Sequence, residues 1–499
     1  MFRTQPVVVK TIGTLFIASL LCYGAPSPWR TKADSSSQAV TKSPCLDTSL
    51  SVLAAVSPET VNSISSVKQG IMGLPCDAGP ETNPPKGEKA EVKLQNGFDY
   101  YSWLTFIALN SPASGTPIGK DSRATWETWK QLPDVMLDGG KKPKPWTDPP
   151  DPPQACAAKY KSGMMIFHME MDETYNEPFK SGPLFDQNGN YALFVIFMNK
   201  VMFDYIVDEK RRLYSVEGQR NFAEDINFPS GSLKVGEESV GSVMVKASWK
   251  ILIPGVDYDE HDQNFRSKYH TVDGLLYLPE AADPCRLVKL GLIGFHVGHK
   301  TSTRQQWIWS TFEHHDNVPT QQDVKEGIPM NRKFNFYSAS NDAKSLRLNQ
   351  TPPGPWDPLK MNPPWDPAIH PSSFKSQIVR MGLLDHTFDD VAVLNRAFHS
   401  LLRGKVWENY DLITTQWPSD FGCSTNPKPG TLPDATCSPF PTFLANSTLE
   451  TFSQPPSDDG IPLATSSCIS CHNNATTHHI PATRSDFTFI LEKARGLHD

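Results

Sequence analysis

Past its first two dozen residues, the chain has no stretch near the roughly 18 uninterrupted apolar residues of a membrane-spanning helix. A stable span in the mature chain is therefore not expected. Excess charge is also lacking. Asp and Glu number 54 against 47 Lys and Arg, leaving a net charge of only -7. That balance argues against nucleic acid or an anionic membrane as main partner, because both reward clustered Lys and Arg. The sequence holds no nucleophile elbow, no phosphate-binding loop and no dinucleotide fingerprint. No methionine follows His472. What remains suits a globular protein, with 38% hydrophobic and 10% aromatic residues, enough to bury a sizeable core.

The amino terminus has an export pattern. Arg3 and Lys10 precede a short uncharged apolar run over 11–22, and Ala25 offers a cleavage edge. An uncleaved anchor is the alternative. The chain divides into a signal peptide (1–25), a Ser- and Pro-rich, partly disordered leader (26–95), a large α+β domain (96–417), and a loop with a C-terminal segment (418–499) that carries the motif described below. Of nine cysteines, Cys22 leaves with the signal. Six outside the motif below suggest disulfides in an oxidising compartment, periplasmic or extracellular. Short closures favour Cys45–Cys76 and Cys423–Cys437, leaving Cys156–Cys285. The bland reading is that some are buried thiols.

The run 98–110 is apolar nearly all round and reads as a buried helix. Ser122 can cap a helix bearing Trp126 and Trp129. Strand patterns follow at 165–171, 191–198, 243–253, 270–278, 287–297 and 306–311, with turn signals between them. Residues 350–372 are Pro-rich and contain Trp-Asp-Pro at Trp356 and Trp365. Thr387 caps a helix with Val391, Leu394, Phe398 and Leu401 on one face, and Gly404 ends it. A last helix is expected over 485–496, presenting Phe487, Ile490, Leu491 and Ala494. The class expected is α+β: a largely antiparallel β core, peripheral helices, and a short C-terminal segment binding c-type haem.

That last element rests on Cys468-Ile469-Ser470-Cys471-His472. Two thiols three residues apart lie on one side of a helical turn, a spacing that matches the two haem vinyl groups. The adjacent imidazole then supplies an axial iron ligand. A thioredoxin-like pair would want a βαβ setting that the Pro- and Thr-rich flanks do not offer. A zinc site would need two more ligands at unusual spacing, with His478 and His479 nearby. The sixth iron ligand stays open. From His472, a chain would have to round the porphyrin edge within six or seven residues to use His478 or His479, barely enough at ~3.4 Å per residue. His296, His299, His314, His315 and the Met stripe at 165–171 are the other candidates, although such a stripe is more often core.

His296, His299, Glu313, His314, His315 and Asp316 could build a metal or acid–base site; a hydrogen-bonded polar cluster at strand ends is the blander reading. Asp186-Gln187-Asn188-Gly189-Asn190 copies the start of a calcium loop, but Phe197 stands where a bidentate Glu belongs, so a tight hairpin is expected. Asp257, Asp259, Glu260 and Asp262 read as a solvated acidic loop.

Several stretches resemble a group of bacterial exported proteins described only as cytochrome c family proteins. They are SWLTFIALN (Ser102–Asn110), WETWK (Trp126–Lys130), DQNGNY (Asp186–Tyr191), HKTSTRQQWIWSTFEHHDNVP (His299–Pro319), TTQWP ending at Pro418, SCISCHNNA, and DFTFIL near the terminus. The resemblance implies one covalent haem and a large domain without assigned catalytic residues. It carries over only Cys468, Cys471 and His472. Three functions fit: a one-electron relay with a redox partner protein or small donor or acceptor, a haem oxidoreductase with a pocket in the large domain, and a binding or structural module in which haem staples the C-terminus.

Overall fold

The computed structural model describes residues 45, 73–78, 88–113, 123–169, 182–234, 236–259, 268–279, 281–327, 332–339, 348–351, 375–381, 388–420, 423, 438–454 and 466–496. The export pattern, Ser122, Met171, Glu260, Asp262, Trp356, Trp365, Thr387 and Cys437 lie outside those residues.

The protein is α+β, with a nine-stranded, largely antiparallel sheet. The strands are β1 (Lys130–Gln131), β2 (Met165–His168), β3 (Leu193–Met198), β4 (Val243–Leu252), β5 (Thr271–Tyr277), β6 (Cys285–His299), β7 (Ile308–His314), β8 (Tyr410–Pro418) and β9 (Pro439–Phe440). β6 is the spine. One edge pairs with β4, which continues to β3 and β1. The other edge is shared: Cys285 to Gly291 pair with β5, and Gly294 to His299 pair with β7. The sheet thus forks at Leu292 and Ile293. One branch runs through β5 to a parallel β2, the other through β7 and β8 to β9.

Strand alternation gives the sheet two faces. On the first, Val245, Ala247, Trp249, Phe295 and Val297 join helix α1 (Glu88–Asn110) in one core. α1 begins inside the stretch read as leader. Its residues Trp103, Phe106 and Leu109 are fully buried. Its polar positions are fastened to β8. Gln95 Nε2 donates to Thr415 O at 2.9 Å, and Thr415 N donates to Asp99 Oδ1 at 2.9 Å. Helices α2 (Lys200–Val207), α3 (Val216–Asn221) and α4 (Gln321–Glu326) are peripheral. Helix α5 (Phe388–Leu401) lays its expected face on α1, with Phe398 stacked on Trp103 at 4.8 Å between ring centres. The second face carries Met198, Met244, Trp309 and Ile413, and against it packs the C-terminal segment with the short helix α6 (Cys468–His472).

Two disulfides, Cys45–Cys76 and Cys156–Cys285, match the expected pairs. Cys423 is also disulfide-bonded. Trp126 lies in a 3-10 turn, Thr125–Thr128, rather than a longer helix. The helix expected over 485–496 is a 3-10 turn, Phe489–Lys493. Asp486 and Phe487 adopt φ of 53° and 62°, left-handed values that a continuous right-handed helix cannot contain. No helix among the described residues is long and apolar enough to cross a membrane.

Candidate functional site

Helix α6 is only five residues long, so its surroundings must hold it. Ser467 caps it, accepting a hydrogen bond from Ser470 N at 3.3 Å. Gln416 of β8 clamps the same end. Its Oε1 accepts from Ile469 N at 2.9 Å and Ser467 Oγ at 3.2 Å, while its Nε2 donates to Pro441 O at 2.7 Å. Ile469 is fully buried in the second-face core.

This leaves Cys468 buried and Cys471 half-buried, neither in a disulfide. Burial first, then the Glu450 and Cys471 charges, push the Cys468 thiol well above its usual range. His472 Nδ1 lies 2.9 Å from Phe487 O. A carbonyl oxygen can only accept, so Nδ1 carries the proton and Nε2 is the lone-pair nitrogen. Burial lowers the His472 pKa to about 4 and keeps the ring neutral. The imidazole is walled by Trp309 at 4.2 Å and Phe489 at 5.0 Å between ring centres.

The acceptor carbonyl belongs to Phe487, one of the two left-handed residues. Such conformations persist only where the surroundings over-determine them. Asp486 provides the fixing: Oδ2 accepts from Phe228 N at 2.7 Å and from the fully buried Lys300 ammonium. Burial raises Asp486 to about 6 against the opposing pull of Lys300. Burial likewise lowers Lys300.

Among the expected ligands, His296 faces the motif side of the sheet. It lies across from Lys246 on β4 and from Thr311 on β7. Both its ring nitrogens are engaged, Nδ1 with Thr311 Oγ1 at 2.8 Å and Nε2 with Glu450 Oε1 at 3.0 Å. Burial pushes the Glu450 carboxyl up, but His296, Lys246 and Asn446 N–H outweigh it and hold it below the ordinary range. Lys246 and Glu450 were not singled out in the sequence, since neither stands in a motif.

The other candidates are elsewhere. His299 is three residues from His296, and an odd step along a strand reverses the face. It is buried on the first face between Tyr101 Oη and Val240 O. His314 stacks on Tyr269 and donates Nε2–H to Lys268 O at 2.8 Å. At ~3.4 Å per residue it lies about 17 Å along β7 from Trp309. His314, His315 and Asp316 could converge on a cation. Instead, His314 Nδ1 accepts from Asp316 N, and the Asp316 carboxylate meets Lys268 at 3.3 Å and Arg332 at 3.7 Å. These neighbours give His314 and Asp316 the character of a satisfied polar cluster, of which His296 and His299 are not part. His478 donates Nδ1–H to Glu492 O, and the buried His479 lies near Arg220. Met165 and Met169 are first-face core. The methionines that share a cluster with Cys468 are Met136, Met198, Met202 and Met244.

The calcium-like stretch is a tight hairpin. Asp186 Oδ1 accepts from Asn188 N at 2.9 Å and Asn190 N at 2.8 Å, and the Lys250 ammonium lies 4.0 Å from Oδ2. Lys250 also pairs with Asp257 at 2.6 Å, so that acidic residue is bound rather than solvated.

No protein-family model matches the chain, and neither curated proteins nor solved structures give a match.

Proposed function

We propose that the C-terminal segment holds one c-type haem, bound through Cys468 and Cys471 with His472 on the iron, and that the protein is an exported one-electron carrier. The observation that carries this reading is the His472 Nδ1–H bond to Phe487 O, because it leaves Nε2 as the atom able to bind a metal. Axial histidines are commonly oriented through this kind of second hydrogen bond. Two unbridged thiols in a chain whose other described cysteines are disulfide-bonded support the same reading. So does an oxidising compartment, where such bridges persist. A haem there would supply one-electron chemistry through its iron. The protein's own contribution is to fix the imidazole, wall it with Trp309 and Phe489, and set a charged group, Glu450, near the motif.

Mass spectrometry of protein matured in cells able to attach haem tests this. The peptide containing Cys468 and Cys471 should carry the added macrocycle. Thiols recovered free, bridged or zinc-bound would overturn the reading.

One observation favours a second reading, a haem oxidoreductase. His296, Glu450 and Lys246 bring acid–base groups to the face that holds the motif. Spectra with and without cyanide or carbon monoxide separate the two. Bands unmoved by either ligand fit the carrier; ready binding fits the oxidoreductase.

A further inference from the structure

Where β5 leaves the fork, a cleft of about 860 Å³ opens, and no part of the motif lines it. Trp407, 3% exposed, forms an apolar wall. His270 lies on Trp407 at 4.6 Å between ring centres, and its Nε2 is 2.6 Å from Glu127 Oε1. Glu127 itself is 3% exposed and also accepts from Ala124 N at 2.9 Å. This hydrogen-bonded pair is thus built into the cleft wall.

The charges around it do not cancel. Glu127 is hydrogen-bonded to His270, and Asp273 is paired with Lys289 at 2.8 Å. Arg123 and Lys161 remain, both exposed and both lining the cleft. Arg123 spends one N–H on Glu127 O at 2.5 Å, and a guanidinium has four more donors. Among the described residues the Lys161 ammonium has neither a hydrogen bond nor an ion pair. An aromatic wall with a few converging polar groups is the usual make-up of a small-molecule site. Among the described lining residues three cations face two carboxylates, an excess that favours an anion, and Arg suits a carboxylate by its fork geometry.

We infer that this cleft is a second site, separate from the motif, which binds a small organic carboxylate with an apolar body. The body lies against Trp407 and the carboxylate meets Arg123 and Lys161.

Calorimetry on the haem-loaded protein with 2-naphthoate, and with the neutral 2-naphthamide as its control, tests the inference. Saturable naphthoate binding is expected, with the amide weaker by about tenfold or more. The variant Arg123→Gln/Lys161→Gln alters exposed side chains, so it should unfold at the same temperature as the parent. It should lose about tenfold in naphthoate affinity and leave the amide unchanged. Three results would overturn the site: no saturable binding, equal affinity for acid and amide, or an unchanged variant. A naphthoate-dependent shift of the haem absorption would also overturn it, by placing the ligand at the iron. Since no step uses the haem, a negative result leaves the redox reading intact, and a failure of haem attachment leaves this one intact.

Discussion

On its first face the sheet is covered by two long helices and a dense set of aromatic rings; on its second it is covered by helix α2, a five-residue helix and irregular chain. The first cover needs little outside help. α1 buries Trp103 and Phe106 and fastens its polar positions to β8 through Gln95, Asp99 and Ser102. The second cover depends on single fixtures: the Ser467 cap, the Gln416 clamp, the Lys300–Asp486 pair and two left-handed residues. Aromatic packing spreads stability over many contacts. A site that must present two thiols and one imidazole in fixed relation concentrates it in a few.

The widest separation of the two faces should come from paired variants. Cys468→Ala/Cys471→Ala should abolish covalent haem altogether, read by mass spectrometry and haem staining on a denaturing gel. Trp103→Ala should cost about 3–5 kcal/mol of stability by emptying core volume, yet retain covalent haem in the folded fraction. Loss of haem attachment from the folded Trp103→Ala protein would break the distinction.

Next in size is the buried ion pair. Lys300→Met strands the Asp486 carboxylate and should cost about 3–5 kcal/mol in urea unfolding. Adding Asp486→Asn to it should restore part of that loss, because no charge is then left buried alone. Strictly additive costs would show that the pair is not coupled.

Acid should act on buried histidines of the first face as well as on His472. Burial lowers His299 to about 4 and His314 to about 3, from 6.5 in an unfolded chain. The unfolded state therefore binds more protons, and stability must fall as the pH falls. The contribution is whole above about pH 6.5 and is lost as pH falls through the folded values. Each proton adds a slope of about 1.4 kcal/mol per pH unit. His299→Gln should remove one proton's share of that slope between pH 6 and 4.5, measured from urea midpoints. An unchanged slope would refute the assignment.

The smallest effect expected is that of Ser467→Ala. Losing the cap should cost about 1 kcal/mol in unfolding free energy and leave haem attachment unchanged. A cost indistinguishable from zero would mean that Gln416 holds the helix alone.

Local pattern made much of this legible. The six strand patterns correspond to β2 through β7 because alternation is a property of neighbouring residues. The Phe388–Leu401 helix and the hairpin at Asp186 follow from periodicity and turn chemistry in the same way. What failed needed the third dimension. His296 and His299 look equivalent in the sequence and point to opposite faces. Lys246 faces His296 only once β4 and β6 are in register, and register is not written in either strand alone. Glu450 arrives from a loop, where Gly294 lets Thr448 approach the sheet more closely than a Cβ would allow. The apolar spacing of the tail is helical, but the turn at Asp486 and Phe487 takes precedence. The His270–Glu127 pair joins residues too far apart in the chain for any spacing rule to connect.

The fork has a mechanical consequence. No ladder joins β5 to β7. Residues 268–270 reach the opposing branch through side chains. His270 N donates to Tyr410 Oη at 3.1 Å, Asn409 Nδ2 donates to Lys268 O at 3.0 Å, and His314 binds that same carbonyl. Tyr410 Oη in turn donates to Leu292 O on the spine at 2.9 Å, like a pin through a clasp. Prying the branches apart would break these few links and leave both ladders whole. The joint between the tines therefore lacks the ladder hydrogen bonds that join neighbouring strands elsewhere in the sheet.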